Sequence, residues 1–277
     1  MTAVPNYLYI GTSKSGSTWL FQLLSWHPEV YAYPGKNLGF FSTRFEKGWD
    51  WYLSNFKPEP QHKAIGEISH SYLASDKAPA RIKEALPDIR MLVCLRDPVQ
   101  RTFSDYLDRV KNGSMSGTFE EELERDPGLI NRSRYGTQLQ RFLEQFPRDR
   151  FHIAIFDDLA TDPRGFAKGI FDFLGVEALP LPGKLEGKVL PAGVPRSTAL
   201  AGGAKSLSTL ARKLGLNWIR GKVKTNRTIR NILYRPYGED KPKMSPETEQ
   251  RLREVFRPEL ELADEVAGTD LAARWNR

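Results

Sequence analysis

The chain has 277 residues, of which 40% are hydrophobic and 27% charged, a composition that is ordinary for a globular protein and excludes collagen-like and wholly disordered chains. No apolar run approaches the roughly 20 residues that span a bilayer, no secretory signal is visible after Met1, and Cys94 is the only cysteine, so we expect a cytoplasmic protein. The net charge of +7, from 41 basic and 34 acidic residues, comes from one segment of the chain, which argues against nucleic-acid binding by the whole protein.

The elements predicted from hydrophobic periodicity alternate between strands and helices. Buried strands are predicted at residues 7–11, 89–95 and 151–156. Helices are predicted at residues 19–25, 78–86, 99–110, 135–146 and 163–174. This alternation predicts an α/β fold in which helices flank a parallel sheet.

The last third of the chain has a different character. Residues 179–195 are rich in proline and glycine and predict an irregular connection. Helices are predicted at residues 206–214, 228–233 and 246–266, the last with Ser245 as its N-cap. We expect one domain over residues 1–277, made of a core at 1–180, a basic irregular and helical segment at 187–238 and a C-terminal helix at 245–267.

The loop after the first strand has the composition of an anion site. Gly11-Thr12-Ser13-Lys14-Ser15-Gly16-Ser17-Thr18 leads directly into a helix, so backbone N–H groups and the helix N-terminus face an anion together with the charge of Lys14. Its glycine spacing resembles a Walker A loop, but Ser17 stands where that motif has lysine. This difference argues against a Mg-dependent NTPase, and on the pattern alone a turn without a ligand is the alternative.

A second phosphate-binding pattern follows the strand at 89–95. Arg96 leaves the end of that strand, and its guanidinium can bind a phosphate in bidentate fashion. Ser104 lies two turns into the next helix, where it can reach the same side. The alternative is structural, with Asp97 as a helix cap and Pro98 at the first helical position.

The two motifs resemble those of sulfotransferases that use 3′-phosphoadenosine 5′-phosphosulfate (PAPS). Further segments resemble the heparan-sulfate-type and bacterial branch of that family: Phe40-Phe41, Gly48-Trp49-Asp50-Trp51-Tyr52, Gly66-Glu67-Ile68-Ser69-His70-Ser71-Tyr72, Arg134-Tyr135, 171–175 and Met244-Ser245-Pro246. The resemblance implies the P-loop-like sulfotransferase fold and transfer of a sulfuryl group from PAPS, which leaves adenosine 3′,5′-bisphosphate (PAP). Some of the aromatic residues at 49–56 are expected in the acceptor cleft, where they would stack on the acceptor.

The resemblance also assigns the donor site. Lys14 would contact the bridging oxygen of the donor, residues 15–18 would hold its 5′-phosphate, and Arg96 and Ser104 would hold its 3′-phosphate. The remaining donor-site candidates are Trp19, Tyr135, Arg235 and Lys241. No metal is expected, because the leaving group is a stable phosphate and no metal-binding spacing is present among four histidines and one cysteine.

The base that accepts the proton of the acceptor is less clearly marked. Asn37 stands where the heparan-sulfate-type branch has a glutamate, and an amide cannot abstract a proton; Ile68 stands where relatives often have lysine. The candidates are His70, Glu67 and Lys36, of which His70 has the ordinary pKa best suited to neutral pH. His70 in a structural turn and Glu67 as a residue that orients Lys14 or Lys36 are the alternatives.

The basic segment has three open interpretations. Residues 187–238 contain eleven Lys and Arg and no acidic residue, so the rest of the chain has a net charge of −4. The segment is a solvated surface, or a part of the phosphate site, or, through residues 196–235, a contact for an acidic acceptor or an anionic membrane. The last interpretation implies a membrane-peripheral protein.

We therefore expect a sulfotransferase acting on a hydroxyl of a small-molecule, carbohydrate or lipid acceptor. The alternatives are an amine acceptor, a P-loop kinase or NTPase, and a protein that binds PAP or PAPS without turnover. No nucleic-acid partner is expected, and the sequence leaves the acceptor and the oligomeric state open.

Overall fold

A five-stranded parallel sheet forms the centre of the chain. The computed structural model describes residues 3–186 and 242–275, together with the backbone of residues 193–195 and 234–236. The strands are β1 (Tyr7–Gly11), β2 (Val30–Ala32), β3 (Ala64–Ile68), β4 (Arg90–Leu95) and β5 (Phe151–Ile155), in the spatial order β2-β3-β1-β4-β5. All four neighbouring pairs of this sheet are parallel. A separate antiparallel pair joins β6 (Gly193–Pro195) to β7 (Tyr234–Pro236).

Helices connect and flank these strands. They are α1 (Ser17–Trp26), α2 (Phe40–Thr43), α3 (Trp49–Leu53), α4 (Ala78–Ala85), α5 (Pro98–Lys111), α6 (Phe119–Arg125), α7 (Gly128–Asn131), α8 (Tyr135–Leu143), α9 (Phe156–Thr161), α10 (Pro163–Leu174), α11 (Gly183–Glu186), α12 (Pro246–Ala267) and α13 (Leu271–Trp275). Short 3₁₀ helices lie at Phe45–Lys47 and Arg148–Arg150. None of the helices in the described ranges is long and apolar enough to cross a bilayer.

The predicted α/β fold is confirmed, and the three predicted strands are β1, β4 and β5. The sequence analysis did not identify β2, which has only three residues, or β3, in which Gly66 and Glu67 interrupt the apolar pattern. Gly66 is needed where it lies, since a Cβ there would be 2.1 Å from the carbonyl oxygen of Tyr7 on the adjacent strand. The helices predicted at 206–214 and 228–233 lie outside the described residues.

The two faces of the sheet bury separate apolar clusters. In β1, Leu8 and Ile10 face a cluster that includes residues of α4, α8 and α12, whereas Tyr7 and Tyr9 face residues of α1 and α10. Alternate side chains of a strand point to opposite faces, so β1 is buried on both sides. Its carboxyl end is therefore a rigid support for the loop that follows.

The C-terminal helix packs against the body of the chain. Ser245 caps α12 by accepting a hydrogen bond from the Thr248 N–H at 3.1 Å, as predicted. Within α12, the carboxylate of Glu259 accepts hydrogen bonds from Arg134 at 3.1 Å and from the Thr137 N–H at 2.9 Å. These contacts attach α12 to the start of α8.

Candidate active site at the carboxyl edge of the sheet

The loops that carry the predicted site residues meet at one edge of the sheet. Strands β1, β2, β3 and β4 are parallel, so the segments that follow them emerge at the same edge. The chain places β3 on one side of β1 and β4 on the other. Such a reversal of strand order opens a crevice at the carboxyl ends of the strands, where α/β proteins bind ligands.

The loop after β1 is held in a defined shape by its neighbours. The Tyr9 hydroxyl donates to the Thr12 carbonyl at 2.7 Å, the Thr12 N–H donates to the Cys94 carbonyl at 3.0 Å, and the hydroxyls of Thr12 and Ser15 lie 2.7 Å apart. Lys14 and Gly16 have left-handed backbones, with φ of 69° and 79°. Gly16 precedes α1 directly, and the first N–H groups of a helix lack intrahelical acceptors. The loop therefore presents free donors at a helix N-terminus, as an anion site requires.

Lys36 brings a second ammonium group to the start of α1. It lies in the loop after β2, and its Nζ donates to Ser17 Oγ at 3.1 Å and to Thr18 Oγ1 at 2.9 Å. Both hydroxyls belong to the first turn of α1, where an anion would also bind. In this position Lys36 is suited to binding an anion better than to proton abstraction.

One face of α5 lies across the phosphate loop. Arg101, Ser104, Asp105 and Asp108 are spaced at i, i+3, i+4 and i+7, and such residues share one side of a helix. The fully buried Arg101 donates to the Ser13 carbonyl at 3.3 Å and to Asp105 at 2.6 Å. Asp108 pairs with Lys14, with 3.2 Å between Oδ1 and Nζ. Arg101, Asp105 and Asp108 were not among the predicted site residues, although their helical spacing with Ser104 could have indicated them.

Arg96 reaches the same loop from the end of β4. Its Nη1 donates to the Lys14 carbonyl at 3.2 Å, and its guanidinium lies 5.1 Å from the ring centroid of Phe156. The Tyr135 hydroxyl donates to the Arg96 carbonyl at 2.8 Å. Burial lowers the pKa of Arg96, which leaves a poorly hydrated cation beside the anion site. Asp97 caps α5 through the Val99 and Gln100 N–H groups, so the predicted cap is also confirmed.

Glu67 is enclosed rather than open to a substrate. No part of it is exposed, and its carboxylate accepts hydrogen bonds from Tyr52 at 3.1 Å, Tyr72 at 2.7 Å and Ser69 at 2.5 Å. The Ser69 hydroxyl also accepts the Gly39 N–H at 2.9 Å. Glu67 thus joins the loop of Lys36 to the loop of His70. The geometry does not fit the assignment of Glu67 as a base and favours a structural role through Tyr52, Ser69 and Tyr72. Orientation of Lys14 or Lys36 by Glu67 stays a prediction.

Stability measurements test this role of Glu67. We expect Glu67→Ala to lower the free energy of unfolding by about 2–4 kcal/mol, because three buried hydroxyls lose their shared acceptor. Glu67→Gln keeps the volume and one acceptor oxygen, so a loss of about 1 kcal/mol is expected, and kcat should stay within about tenfold. Burial raises the pKa of Glu67, which favours the neutral form that glutamine imitates.

The exposed Glu124 provides the control for this pair of variants, since Glu124→Ala should change stability by less than about 0.5 kcal/mol. Chemical denaturation of the three variants compares them directly. If Glu67→Gln lost more than a hundredfold in kcat while its stability was unchanged, Glu67 would act as the base and not as a structural residue.

His70 lies among the cations of the site. It follows β3, is half-buried, and its backbone N–H donates to Asn37 Oδ1 over 3.4 Å. Burial, together with the charge of Lys36, lowers the pKa of His70 to about 4, and Asp105 acts in the opposite direction. The exposed Asn37 has a left-handed backbone with φ of 61°. Asn37 therefore supports the loop of His70 through its side-chain oxygen.

The remaining predicted donor-site residues are Trp19, Tyr135, Arg235 and Lys241. Trp19 is 3% exposed and donates to the Leu185 carbonyl at 2.9 Å, so its side chain belongs to the core and not to the donor site. Tyr135 is buried and acts on the site through the Arg96 carbonyl. Only the backbone of Arg235 is described, in β7, and Lys241 lies outside the described residues.

The aromatic residues expected near the acceptor are mainly core residues. Phe40, Tyr52 and Phe56 are almost fully buried, whereas Trp49 and Trp51 are partly exposed. Within the described part of the chain, no group of three or more His, Cys, Asp or Glu side chains is arranged to hold a metal ion.

Comparison with known proteins identifies relatives of the chain. Residues 5–191 match the family model of the sulfotransferase domain. The chain is 30% identical over 185 residues to heparan sulfate glucosamine 3-O-sulfotransferase 3A1 of Mus musculus, covering 64% of this chain and 47% of the relative. It is 31% identical over 185 residues to the 3B1 enzyme of Homo sapiens, with coverage of 64% and 47%. The chain thus spans about half the length of the curated relatives it matches.

Two solved structures share the fold. A sulfotransferase from Alicyclobacillus acidocaldarius has a TM-score of 0.72 at 23% identity, covering 99% of this chain and 100% of that one. Mouse sulfotransferase SULT7A1 complexed with PAP has a TM-score of 0.56 at 14% identity, covering 95% and 86%. Both comparisons concern the backbone arrangement described above.

Proposed function

Because this chain belongs to the sulfotransferase domain family, we propose that it transfers a sulfuryl group from PAPS to a hydroxyl group of a small-molecule, carbohydrate or lipid acceptor. The observation that supports this most directly is the meeting of the two predicted anion-binding motifs at one edge of the sheet. Arg96 donates to the carbonyl of Lys14, so the loop after β1 and the end of β4 form one cationic site. A nucleotide with phosphates at both ends suits a site with two such motifs.

The donor is proposed to lie along the loop and the face of α5. The N–H groups at the start of α1, with the Ser17 and Thr18 hydroxyls, would bind the 5′-phosphosulfate end. Lys36 already donates to those two hydroxyls, and we assign it to the charge of that end. Arg96 and Ser104 would bind the 3′-phosphate. Arg101 supports the loop from behind through the Ser13 carbonyl.

The transfer needs charge neutralisation and a base. The acceptor oxygen forms a bond to sulfur while the bond between sulfur and the bridging oxygen breaks, and the electron pair stays on the phosphate oxygen. Lys14 would stabilise the charge that develops there. His70 would accept the proton of the acceptor, since it is neutral at pH 7; without the donor, burial and the charge of Lys36 lower its pKa to about 4 and make it a weak base. The negative charge of the donor would offset Lys36 and raise the basicity of His70.

Rival functions make different demands on the same site. A P-loop kinase or NTPase would require lysine at the position of Ser17. A protein that binds PAP without turnover would use Arg96 and the loop but not His70. An amine acceptor would use the whole site, so a comparison of matched alcohol and amine acceptors decides between O- and N-transfer.

Thermal stabilisation by nucleotides tests the proposal. At a concentration of about 100 times its dissociation constant, a ligand stabilises a protein by about 2.7 kcal/mol, which is roughly 5–10 °C in Tm for a chain of this size. We expect PAP to produce such a shift and ATP with Mg²⁺ to produce a much smaller one. An equal or larger shift with ATP and Mg²⁺ would contradict the assignment of the donor.

The remaining expectations are proposals of the same kind. We propose that residues 1–277 form one domain. We also propose a location in the cytoplasm, which the free, buried thiol of Cys94 supports. The proposed contact of residues 196–235 with an anionic membrane lies outside the described residues. Co-sedimentation with vesicles, with and without anionic lipid, tests it.

A further inference from the structure

The ammonium group of Lys14 is bound by a carboxylate of the same chain. Its Nζ lies 3.2 Å from Asp108 Oδ1, with the Lys14 side chain 26% exposed and that of Asp108 45% exposed. The two residues come from different elements, since Lys14 is in the loop after β1 and Asp108 is three turns into α5. The ion pair therefore joins the phosphate loop to the α5 face.

The two acidic residues of the α5 face differ in their surroundings. Asp105 has three arginine partners, Arg101 at 2.6 Å, Arg132 at 3.1 Å and Arg109 at 3.6 Å. These partners are structural, because Asp105 is largely buried. Among the described residues, the ion-pair partner of Asp108 is Lys14 alone. A ligand that draws Lys14 away would separate Asp108 from the ion-pair partner that it has among the described residues.

Both ends of the bound nucleotide would weaken the ion pair between Lys14 and Asp108. The bridging oxygen at the 5′ end would require the same ammonium group that Asp108 holds. Ser104, assigned above to the 3′-phosphate, lies one helical turn before Asp108 on the same face, and residues at i and i+4 are neighbours. A 3′-phosphate at Ser104 would therefore repel the Asp108 carboxylate while the 5′ end competes for its partner.

We propose that Asp108 is a positioning residue that competes with the bound nucleotide for Lys14 and so weakens the binding of PAP. The inference rests on the proposed function, because it concerns the same donor site. Its consequence is faster release of the product, because Asp108 takes Lys14 back as PAP leaves. Release of product limits many enzymes, so a competing carboxylate serves turnover although it costs affinity.

The test measures PAP binding by isothermal titration calorimetry. Asp108→Asn should bind PAP about three- to tenfold more tightly than the natural chain, the range of one partly exposed ion pair with the added repulsion removed. The inhibition constant of PAP in the transfer assay should fall by the same factor. Asp172→Asn removes an acidic partner of Lys168 from the exposed side of α10 and should leave both values unchanged.

A double-mutant cycle identifies the route of the effect. If Asp108 acts through Lys14, Asp108→Asn should tighten PAP binding by less than about twofold in a Lys14→Met background. A full effect in that background would overturn the competition for Lys14. Weaker PAP binding by Asp108→Asn, or unchanged binding, would overturn the proposal as well. Asp108→Ser repeats the test if the asparagine variant folds poorly.

PAP binding by the natural chain distinguishes a failure of this proposal from a failure of the proposed function. If PAP neither binds it nor shifts its Tm, the donor assignment fails. If PAP binds the natural chain and Asp108→Asn has no effect, only the role of Asp108 fails.

Discussion

Replacing Lys14 by methionine is expected to lower kcat by about 10²–10³-fold, the usual cost of removing one group that stabilises developing charge in a transition state. Lys14 lies in the phosphate loop itself. Its backbone carbonyl accepts a hydrogen bond from Arg96, and its side chain is directed to α5. PAPS binding should change less than kcat, because the bridging oxygen carries less charge in PAPS than in the transition state, where its bond to sulfur breaks. Steady-state kinetics, together with PAPS titration in the absence of acceptor, measure both quantities on the same preparations.

Two further variants make the Lys14 result specific. Lys168→Met removes an exposed lysine of α10 that pairs with Asp172, and it should keep kcat within about twofold. Lys14→Arg keeps the charge on a planar group that does not reproduce a point charge, so we expect partial activity. If Lys14→Met retained more than a fifth of kcat, Lys14 would not be the group that stabilises the leaving oxygen.

Replacing His70 by alanine is expected to lower kcat by about 10²–10⁴-fold with an alcohol acceptor, the range of general-base catalysis. The loss should be much smaller with a phenol of low pKa such as 4-nitrophenol, which needs little help to lose its proton. His62→Ala provides the matched control. His62 lies just before β3 begins, at the opposite edge of the sheet from His70, and the variant should keep full activity.

The pH dependence adds a second measurement for His70. With its pKa lowered to about 4 by burial and Lys36, the acid limb of the rate should lie near pH 4 at low donor concentration. At saturating donor the limb should move to higher pH, because the anion offsets Lys36. An acid limb that persists unchanged in His70→Ala would exclude His70 as the base.

The same shift has a consequence for stability. His70 binds fewer protons in the folded chain than in the unfolded one between pH 4 and its ordinary pKa of 6.5. Stability should therefore fall as the pH is lowered through this window, and it should fall less in His70→Ala. Urea denaturation at several pH values measures the difference.

The strand, loop and helix start around Gly16 and the place of Arg96 after a strand could be predicted from the sequence because each is a local pattern. Their assignment to the donor stays a prediction. The capping of α5 by Asp97 and of α12 by Ser245 follows from the same local rules. In each case the residues that make up the pattern lie within a few positions of one another.

The role of Glu67 could not be predicted in this way. Its partners Tyr52, Ser69 and Tyr72 come from two segments, and a glutamate in an active-site motif has the same letter whether it is buried or open. Lys36 is a similar case, since its hydroxyl partners on α1 are 18 and 19 positions away. Trp19 belongs to a motif that resembles a donor site, yet helical geometry directs its ring to the core.

The charged residues show most plainly which features follow from the sequence and which from the tertiary structure. The sequence by itself determined that an acidic body carries a glycine-containing loop after the first strand, an arginine after a second strand and a basic segment, because charge, glycine spacing and periodicity are properties of neighbouring residues. Only the tertiary structure decided that Lys14 is bound by Asp108, that Lys36 donates to hydroxyls at the start of α1 and that Glu67 is enclosed. Those facts depend on which strand ends lie side by side, and the order of strands in a sheet is set by packing of the whole chain.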